Sequence, residues 1–247
     1  MRHSIHQRLK DQFMRLSLHR FIEPFSPFLQ KLIALSQLSK WRKHTPVTGN
    51  NDFYISGFDY SKRYSNYQFI SDKYQLKITA INFVEFGVEE GNSLKWWLAE
   101  NQCEASIFIG LDTFEGLPEK WGYFKKGDMS FPMEQLTITD SRLRLFRGLF
   151  QQTANKALEL INQSSRSIFH MDADIFSSTL FALTQCYRFM KPGDLVLFDE
   201  FTTPTHEFSA FKLFTESFYI EYEVISAAAN YSFLAIEIKK IPWVKQN

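Results

Sequence analysis

Four acidic side chains close short apolar runs, and they are the part of this sequence best suited to chemistry. Glu85 lies in INFVEFGVEEGNS, Asp112 in SIFIGLDTFEGLPE, Asp172 in SIFHMDADIFSST, and Asp199, followed by Glu200, in GDLVLFDEF. Each run has the length and aliphatic or aromatic content of a buried strand, and turn or helix-start residues follow it. Carboxylates at the carboxyl ends of parallel strands stand where open α/β sheets bind ligands.

Asp172 and Asp199 form the sharpest pair. Their strands are expected to be neighbours, about 4.8 Å apart. Two carboxylates at that separation repel unless a cation or a shared proton intervenes. An all-oxygen donor set suits Mg²⁺ first, then Ca²⁺ or Mn²⁺. Glu200 becomes a third ligand only if the strand has ended, because successive side chains of a continuing strand face opposite ways. Asp174 is expected to cap a turn or pair with a cation.

Residues 85–93 read as strand, turn and helix start. Gly87 and Gly91 let the backbone approach a ligand, and a helix N-terminus at Asn92 or Ser93 offers free N–H groups. The two glycines are four apart, so the GxGxxG dinucleotide motif is absent. Asp112, 27 residues beyond Glu85, is placed to accept hydrogen bonds from both hydroxyls of a ribose. Together the two acids point to a nucleoside.

The elements that must position these groups follow from the same pattern. Strands are expected at 81–87, 106–112, 143–149, 168–172 and 194–199, with an antiparallel pair at 220–227 and 231–238. Helices are expected at 59–78 (carrying Arg63, Tyr67 and Ile70), from Asn92 or Ser93, at 153–163, from Ser177, Ser178 or Thr179 to Met190, and at 205–218. Alternating strands and helices give a parallel sheet covered on both faces. The closing hairpin makes it a mixed, seven-stranded α/β sheet. The segment from Thr113 to about Thr139 reads as one long loop. Its portion from Phe114 to Phe131, with Trp121, Tyr123 and Phe124, is long enough for a lid.

The chain has 247 residues and a formal net charge of +1, so no global charge draws it to nucleic acid. The charge is uneven. Residues 1–50 hold nine Lys and Arg against Asp11 and Glu23, a net of +7, which leaves −6 for the rest. Ile5, Leu9, Phe13 and Leu16 mark one helix face, Pro24 and Pro27 interrupt it, and Phe28, Leu32, Leu35 and Leu38 mark a second. We therefore divide the chain into a basic helical N-terminal extension, residues 1–50, and an α/β domain, residues 51–247, with a linker at 44–57. Cys103 and Cys186 form no CxxC pair, and a reducing cytoplasm suits them. No apolar run approaches the length of a membrane span, and no secretory h-region is present.

The strings VEFGVEEGNS, GLDTFEGLPE, RGLFQQT, HMDADIFSST and LVLFDEF, in this order, resemble the macrocin O-methyltransferase-like (TylF-type) group of class I S-adenosylmethionine-dependent methyltransferases, over about residues 60–238. The resemblance implies a Rossmann-like fold and transfer of a methyl group from S-adenosylmethionine to a hydroxyl of a small molecule or sugar. It implies that Glu85, Gly87, Gly91 and Ser93 form the cofactor loop, that Asp112 and the adjoining Thr113 hold the ribose, and that the segment 147–150, with Gly148, lies near the adenine. It implies that Asp172 is both metal ligand and catalytic base, with Asp199 and Glu200 completing a Mg²⁺ site. Two positions depart from the pattern. Glu200 stands where a second Asp is common, and Glu89 replaces the middle glycine of the class I loop.

His170 faces the same side of its strand as Asp172 and is expected to be a buried, hydrogen-bonded histidine. His206 is a candidate to reach the substrate. Tyr187 and Lys191 share the YxxxK spacing of short-chain reductases, which at a helix end running into Pro-Gly we read as chance. Three readings fit the basic arm: a helical cap or dimer contact, attachment to an anionic membrane surface, and nucleic-acid binding, which no motif supports. The competing functions are a nicotinamide-dependent oxidoreductase and a non-catalytic cofactor-binding module.

Overall fold

The apolar runs become buried strands, and the chain order alternates as their spacing demands. The structure, a computed structural model, describes residues 2–242; residue 1 and residues 243–247, the last of the 51–247 domain, lie outside the described residues. The helices are α1 (Arg2–Arg15), α2 (His19–Ile22), α3 (Ser26–His44), α4 (Lys62–Tyr74), α5 (Asn92–Glu100), α6 (Phe150–Leu158), α7 (Phe176–Cys186) and α8 (Glu207–Ser217). The strands are β1 (Val47–Asn51), β2 (Ile81–Phe86), β3 (Ile107–Asp112), β4 (Leu143–Arg147), β5 (Arg166–Met171), β6 (Leu195–Phe198), β7 (Glu221–Ala228) and β8 (Phe233–Lys240).

The sheet order is β1-β7-β8-β6-β5-β2-β3-β4. Strand β8 runs antiparallel to both neighbours, and the other pairings are parallel. The expected hairpin of β7 and β8 forms. The sheet nevertheless has eight strands rather than seven, because β1 arises inside the segment read as a linker. VTGNN has one apolar side chain and mostly exposed positions, so no hydrophobic alternation announces it. Main-chain pairing with β7 makes it a strand. Gly49 allows the approach, since a Cβ there would lie 2.3 Å from the Ile225 carbonyl oxygen.

Successive residues of β2 divide the core. Val84 and Phe86 face α6, α7 and α8, through Ala154, Leu183 and Phe211. Phe83 faces α4 and α5, through Tyr67, Ile70, Leu94 and Trp97. Helix α4 is shorter than the expected 59–78, because Gln75 turns left-handed at φ 54° and ends it. Helices α6 and α7 also end earlier than expected.

In the arm, Pro24 falls in a 3₁₀ turn, Glu23–Phe25, and Pro27 opens α3, where its missing N–H costs nothing. Only the last part of α3 is anchored. Ala34 and Leu38 are buried, and the Trp41 ring lies 4.9 Å from Phe201 while its Nε1 donates to Tyr222 Oη at 2.8 Å. Further out, Leu9, Phe21, Phe28 and Ile33 are each more than half exposed. Among the described residues no helix is long and apolar enough to cross a membrane.

Candidate active site

The carboxyl ends of β2, β3, β5 and β6 surround a cavity of about 630 Å³. Its walls include Gly87, Val88, Glu89 and Ser93 from the turn after β2 and the start of α5. Asp112 and Thr113 come from the end of β3. Asp172 and Asp174 follow β5, and Asp199 and Glu200 follow β6. That volume is within the range of small-molecule sites. Seven acids, Glu89, Asp112, Glu119, Asp172, Asp174, Asp199 and Glu200, line it against the cation Arg63, so the site favours positive charge.

Backbone contacts set the acids' positions. The Asp172 N–H donates to the Phe86 carbonyl at 3.0 Å, and the Asp199 N–H to that of Met171 at 3.2 Å. Strand β6 ends at Phe198, so Asp199 and Glu200 escape strict alternation and both reach the cavity. Glu207, fully buried at the start of α8, accepts the Glu200 N–H on Oε2 at 3.0 Å and pins this turn.

Asp112 accepts the Val88 and Glu89 N–H groups on Oδ2, at 2.7 and 2.9 Å, and the Phe114 N–H on Oδ1 at 2.7 Å. It therefore braces the turn after β2 as well as facing the cavity. Thr113 Oγ1 donates to the Gly116 carbonyl at 3.0 Å. Glu89 adopts φ 47°, the left-handed conformation that explains the glycine usual at this place.

Three of the residues expected in the cofactor site do not line this cavity. Glu85 points into the core beneath it, where its Oε1 shares a 2.8 Å hydrogen bond with His170 Nδ1. His170 Nε2 is 3.1 Å from Tyr67 Oη, which is 3.1 Å from Ser93 Oγ. Burial pushes the Glu85 carboxyl well up and lowers the His170 imidazole to about 4, so the imidazole is uncharged near neutral pH. His170 is the buried histidine expected. Gly91 is the residue before α5 with φ 70°, and a Cβ there would meet Leu136 Cδ1 at 2.8 Å. Its role is to form the turn and admit the loop. Gly148 borders an adjacent cavity with Thr113, Arg147 and Gln152, while its neighbours Leu149 and Phe150 line the main one. His206 lies away from the lining; its Nδ1 accepts the Phe176 N–H at 3.2 Å at the start of α7.

Sequence reasoning placed Arg63 on a helix but gave it no role, and it is the centre of the site. Its Nε donates to Asp199 Oδ1 at 3.2 Å, its Nη2 to Asp199 Oδ2, and the same Nη2 to Asp172 Oδ2 at 3.3 Å. Tyr60 Oη adds a bond to Asp199 Oδ2 at 3.1 Å, and the Tyr60 ring lies 4.1 Å from the guanidinium carbon. The available signal was a charged residue in line with Tyr67 and Ile70 on the inward stripe of α4. Burial opposes Arg63's charge, but the adjacent Asp199 and Asp172 keep the guanidinium protonated. Burial, and then Asp199, push the Asp172 carboxyl well above the usual range against the pull of Arg63. Burial, Glu200 and Asp199 push Asp174 up to about 7.

This geometry does not fit the metal centre expected from the resemblance. The oxygen donors are of the right kind for Mg²⁺, but both oxygens of Asp199 are already engaged by Arg63 and Tyr60. Among the described residues, the set of three such side chains whose ligand atoms lie within 4.8 Å of one another is Glu85, His170 and Asp172. In that set Glu85 Oε1 and His170 Nδ1 are already bonded to each other, while Glu85 Oε2 is buried without a hydrogen-bond partner.

The segment expected to be long enough for a lid reaches the site. Trp121 and Phe124 stack at 5.3 Å and 15°, and both line the cavity with Leu117 and Met129. Tyr123 is fully exposed. Lys191, the end of the YxxxK spacing, donates to the Ser165 carbonyl at 2.8 Å, away from the cavity.

A parallel sheet closed by the antiparallel β8, with its cavity at the strands' carboxyl ends, defines a Rossmann-like class I methyltransferase fold. Two solved structures share it. The O-methyltransferase NovP is 18% identical, with a TM-score of 0.58 over 72% of this chain and 80% of that one. The calicheamicin methyltransferase CalS11 is 17% identical, with a TM-score of 0.55 over 83% and 91%. The macrocin-O-methyltransferase (TylF) family matches residues 61–229, and the chain belongs to that family. It is an O-methyltransferase that uses S-adenosylmethionine, and the oxidoreductase reading falls. No curated protein matches the chain.

Proposed function

We propose that this protein methylates a hydroxyl of a small molecule or sugar, with Asp172 as the general base. The observation that carries the reading is the single cavity shared by the turn after β2, the β3 acid Asp112 and the β5 acid Asp172. The pocket's chemistry suits the cofactor: an acidic lining attracts a sulfonium cation, and Asp112 and Thr113 adjoin a wall formed by Leu149 and Phe150. In this reading Gly87, Val88, Glu89 and Ser93 hold the amino-acid end, Asp112 and Thr113 the ribose, and Leu149 and Phe150 the adenine. Glu85, Gly91 and Gly148 support that surface from behind or beside it.

S-adenosylmethionine supplies a methyl group on a positively charged sulfur. The acceptor's O–H proton passes to Asp172, and the acceptor oxygen forms the new bond to the methyl carbon. The carbon–sulfur bond breaks with its electron pair on sulfur, leaving a neutral thioether. Asp172 suits the proton transfer because burial and Asp199 raise its affinity for a proton above that of an ordinary carboxylate. Leu117, Trp121, Phe124 and Met129 exclude water and position the acceptor. Mg²⁺ held by Asp172, Asp199 and Glu200 is left out of this reading because the fit fails at Asp199.

The CalS11 relative is described as a calicheamicin methyltransferase, which supports a natural-product or sugar acceptor here. The arm is read as a helical cap seated through Leu38 and Trp41, its outer apolar side chains supporting contact with a second copy. Two free cysteines, Cys103 and Cys186, support a cytoplasmic location. The decisive experiment is calorimetry with S-adenosylhomocysteine, followed by methyl transfer from labelled S-adenosylmethionine to a panel of hydroxylated glycosides. No binding of S-adenosylhomocysteine would end the proposal.

A further inference from the structure

We infer that Arg63 is the resident counter-ion of the Asp172–Asp199 pair, and that these carboxylates hold no divalent cation in the cofactor-loaded protein. The inference rests on the methyltransferase reading for what the site does, but its geometry stands independently.

Two carboxylates side by side at adjacent strand ends need positive charge, and here the chain provides it. The Arg63 side chain is 4% exposed and that of Asp199 2%. The guanidinium forks onto both Asp199 oxygens through Nε and Nη2, and Nη2 also reaches Asp172 Oδ2 at 3.3 Å. A fork of this kind is the most geometrically specific way to hold a carboxylate. Tyr60 fixes the arrangement from both sides, with Oη on Asp199 Oδ2 and its ring against the guanidinium. Phe233 lies 5.8 Å from the guanidinium carbon.

A metal ion at Asp199 would have to displace this fork. The arginine would then remain as a second cation beside the ion, or leave a buried pocket that nothing else fills. Either outcome is unfavourable, because a buried pair broken by loss of one partner exposes an uncompensated charge. The arrangement also has a consequence for Asp172. One of its oxygens meets Arg63, and no protein donor among the described residues engages Oδ1. Asp172 lines the cavity and a quarter of its side chain is open, which leaves it able to take a proton while Oδ2 meets Arg63. Arg63 reaches the proposed base only through its Nη2 bond to Asp172 Oδ2 and is a positioning residue.

The test is a titration of EDTA-treated, desalted full-length protein with Mn²⁺ in the presence of saturating S-adenosylhomocysteine, followed by electron paramagnetic resonance of the free ion. The wild type should bind no stoichiometric Mn²⁺ at submillimolar concentration. Arg63→Gln should acquire a Mn²⁺ site that Arg63→Gln/Asp199→Asn lacks, and Arg63→Lys, which keeps the charge, should not acquire one. One equivalent of Mn²⁺ bound by the wild type and lost in Asp199→Asn would overturn the inference. The wild-type titration decides the matter even if Arg63→Gln fails to fold. S-adenosylhomocysteine binding, measured separately by calorimetry, distinguishes the two failures: its absence sinks the methyltransferase reading, whereas tight Mn²⁺ binding with it present sinks only the role of Arg63.

Discussion

A Cβ on Gly87 would lie 1.8 Å from the backbone carbonyl oxygen of Asp172. The turn after β2 and the end of β5 thus touch main chain to main chain, and this contact places Asp172, the proposed base, next to the proposed cofactor loop. Gly87 also adopts φ 95°, so Gly87→Ala faces both backbone strain and overlap. Together these should cost about 2–5 kcal/mol, read by urea denaturation. Affinity for S-adenosylhomocysteine should fall at least tenfold by calorimetry, because the strand ends must separate. Unchanged affinity would place the cofactor elsewhere.

Asp172→Asn keeps the shape of the side chain and removes the proposed base. Loss of a general base costs about 10²–10⁴-fold in rate, so kcat should fall by that amount while affinity for S-adenosylhomocysteine stays within a few-fold. In the wild type, activity should rise with pH as Asp172 loses its proton, with the rising limb above the ordinary carboxylate range. The direction follows from burial and Asp199, which favour the protonated form. A limb at the ordinary carboxylate value, or turnover by the Asn variant, would assign the proton transfer to another group.

Much of this site was legible because strand ends announce themselves. The runs at Glu85, Asp112, Asp172 and Asp199 are continuous apolar segments, and burial on both sheet faces requires that composition. What escaped was tertiary. Arg63 precedes Asp199 by 136 residues, and nothing local couples them. Glu85 illustrates the converse: its place at a strand end was readable, but which way the side chain turned was decided by His170 on the neighbouring strand. Strand β1 escaped because hydrogen bonding to an edge leaves no hydrophobic period.

Asp174 gives a stability prediction. Its proton affinity is raised from 3.8 to about 7, so between these values the folded state binds more protons than the unfolded one. Stability must then fall as pH rises through that window, with the full cost present above about 7. Asp174→Asn removes the titrating charge, and asparagine tolerates the left-handed φ of 56° found here. The variant should be more stable than wild type at pH 8 and lose this advantage toward pH 4, by urea denaturation at each pH. An equal effect at both ends would mean that Asp174 does not carry the cost.

Trp121 tests the acceptor side of the cavity. Its ring stacks on Phe124 and forms wall rather than core, so Trp121→Ala should leave the fold intact and open that wall to water. An aromatic contact of this kind is worth about 0.5–1.5 kcal/mol, which sets the expected rise in acceptor KM at up to roughly tenfold. Affinity for S-adenosylhomocysteine should change little, because the turn after β2 and the β3 end lie on other walls. Trp121→Phe, which keeps a stacking face, should recover most of the loss. An equal fall in cofactor affinity would instead make this segment part of the cofactor site.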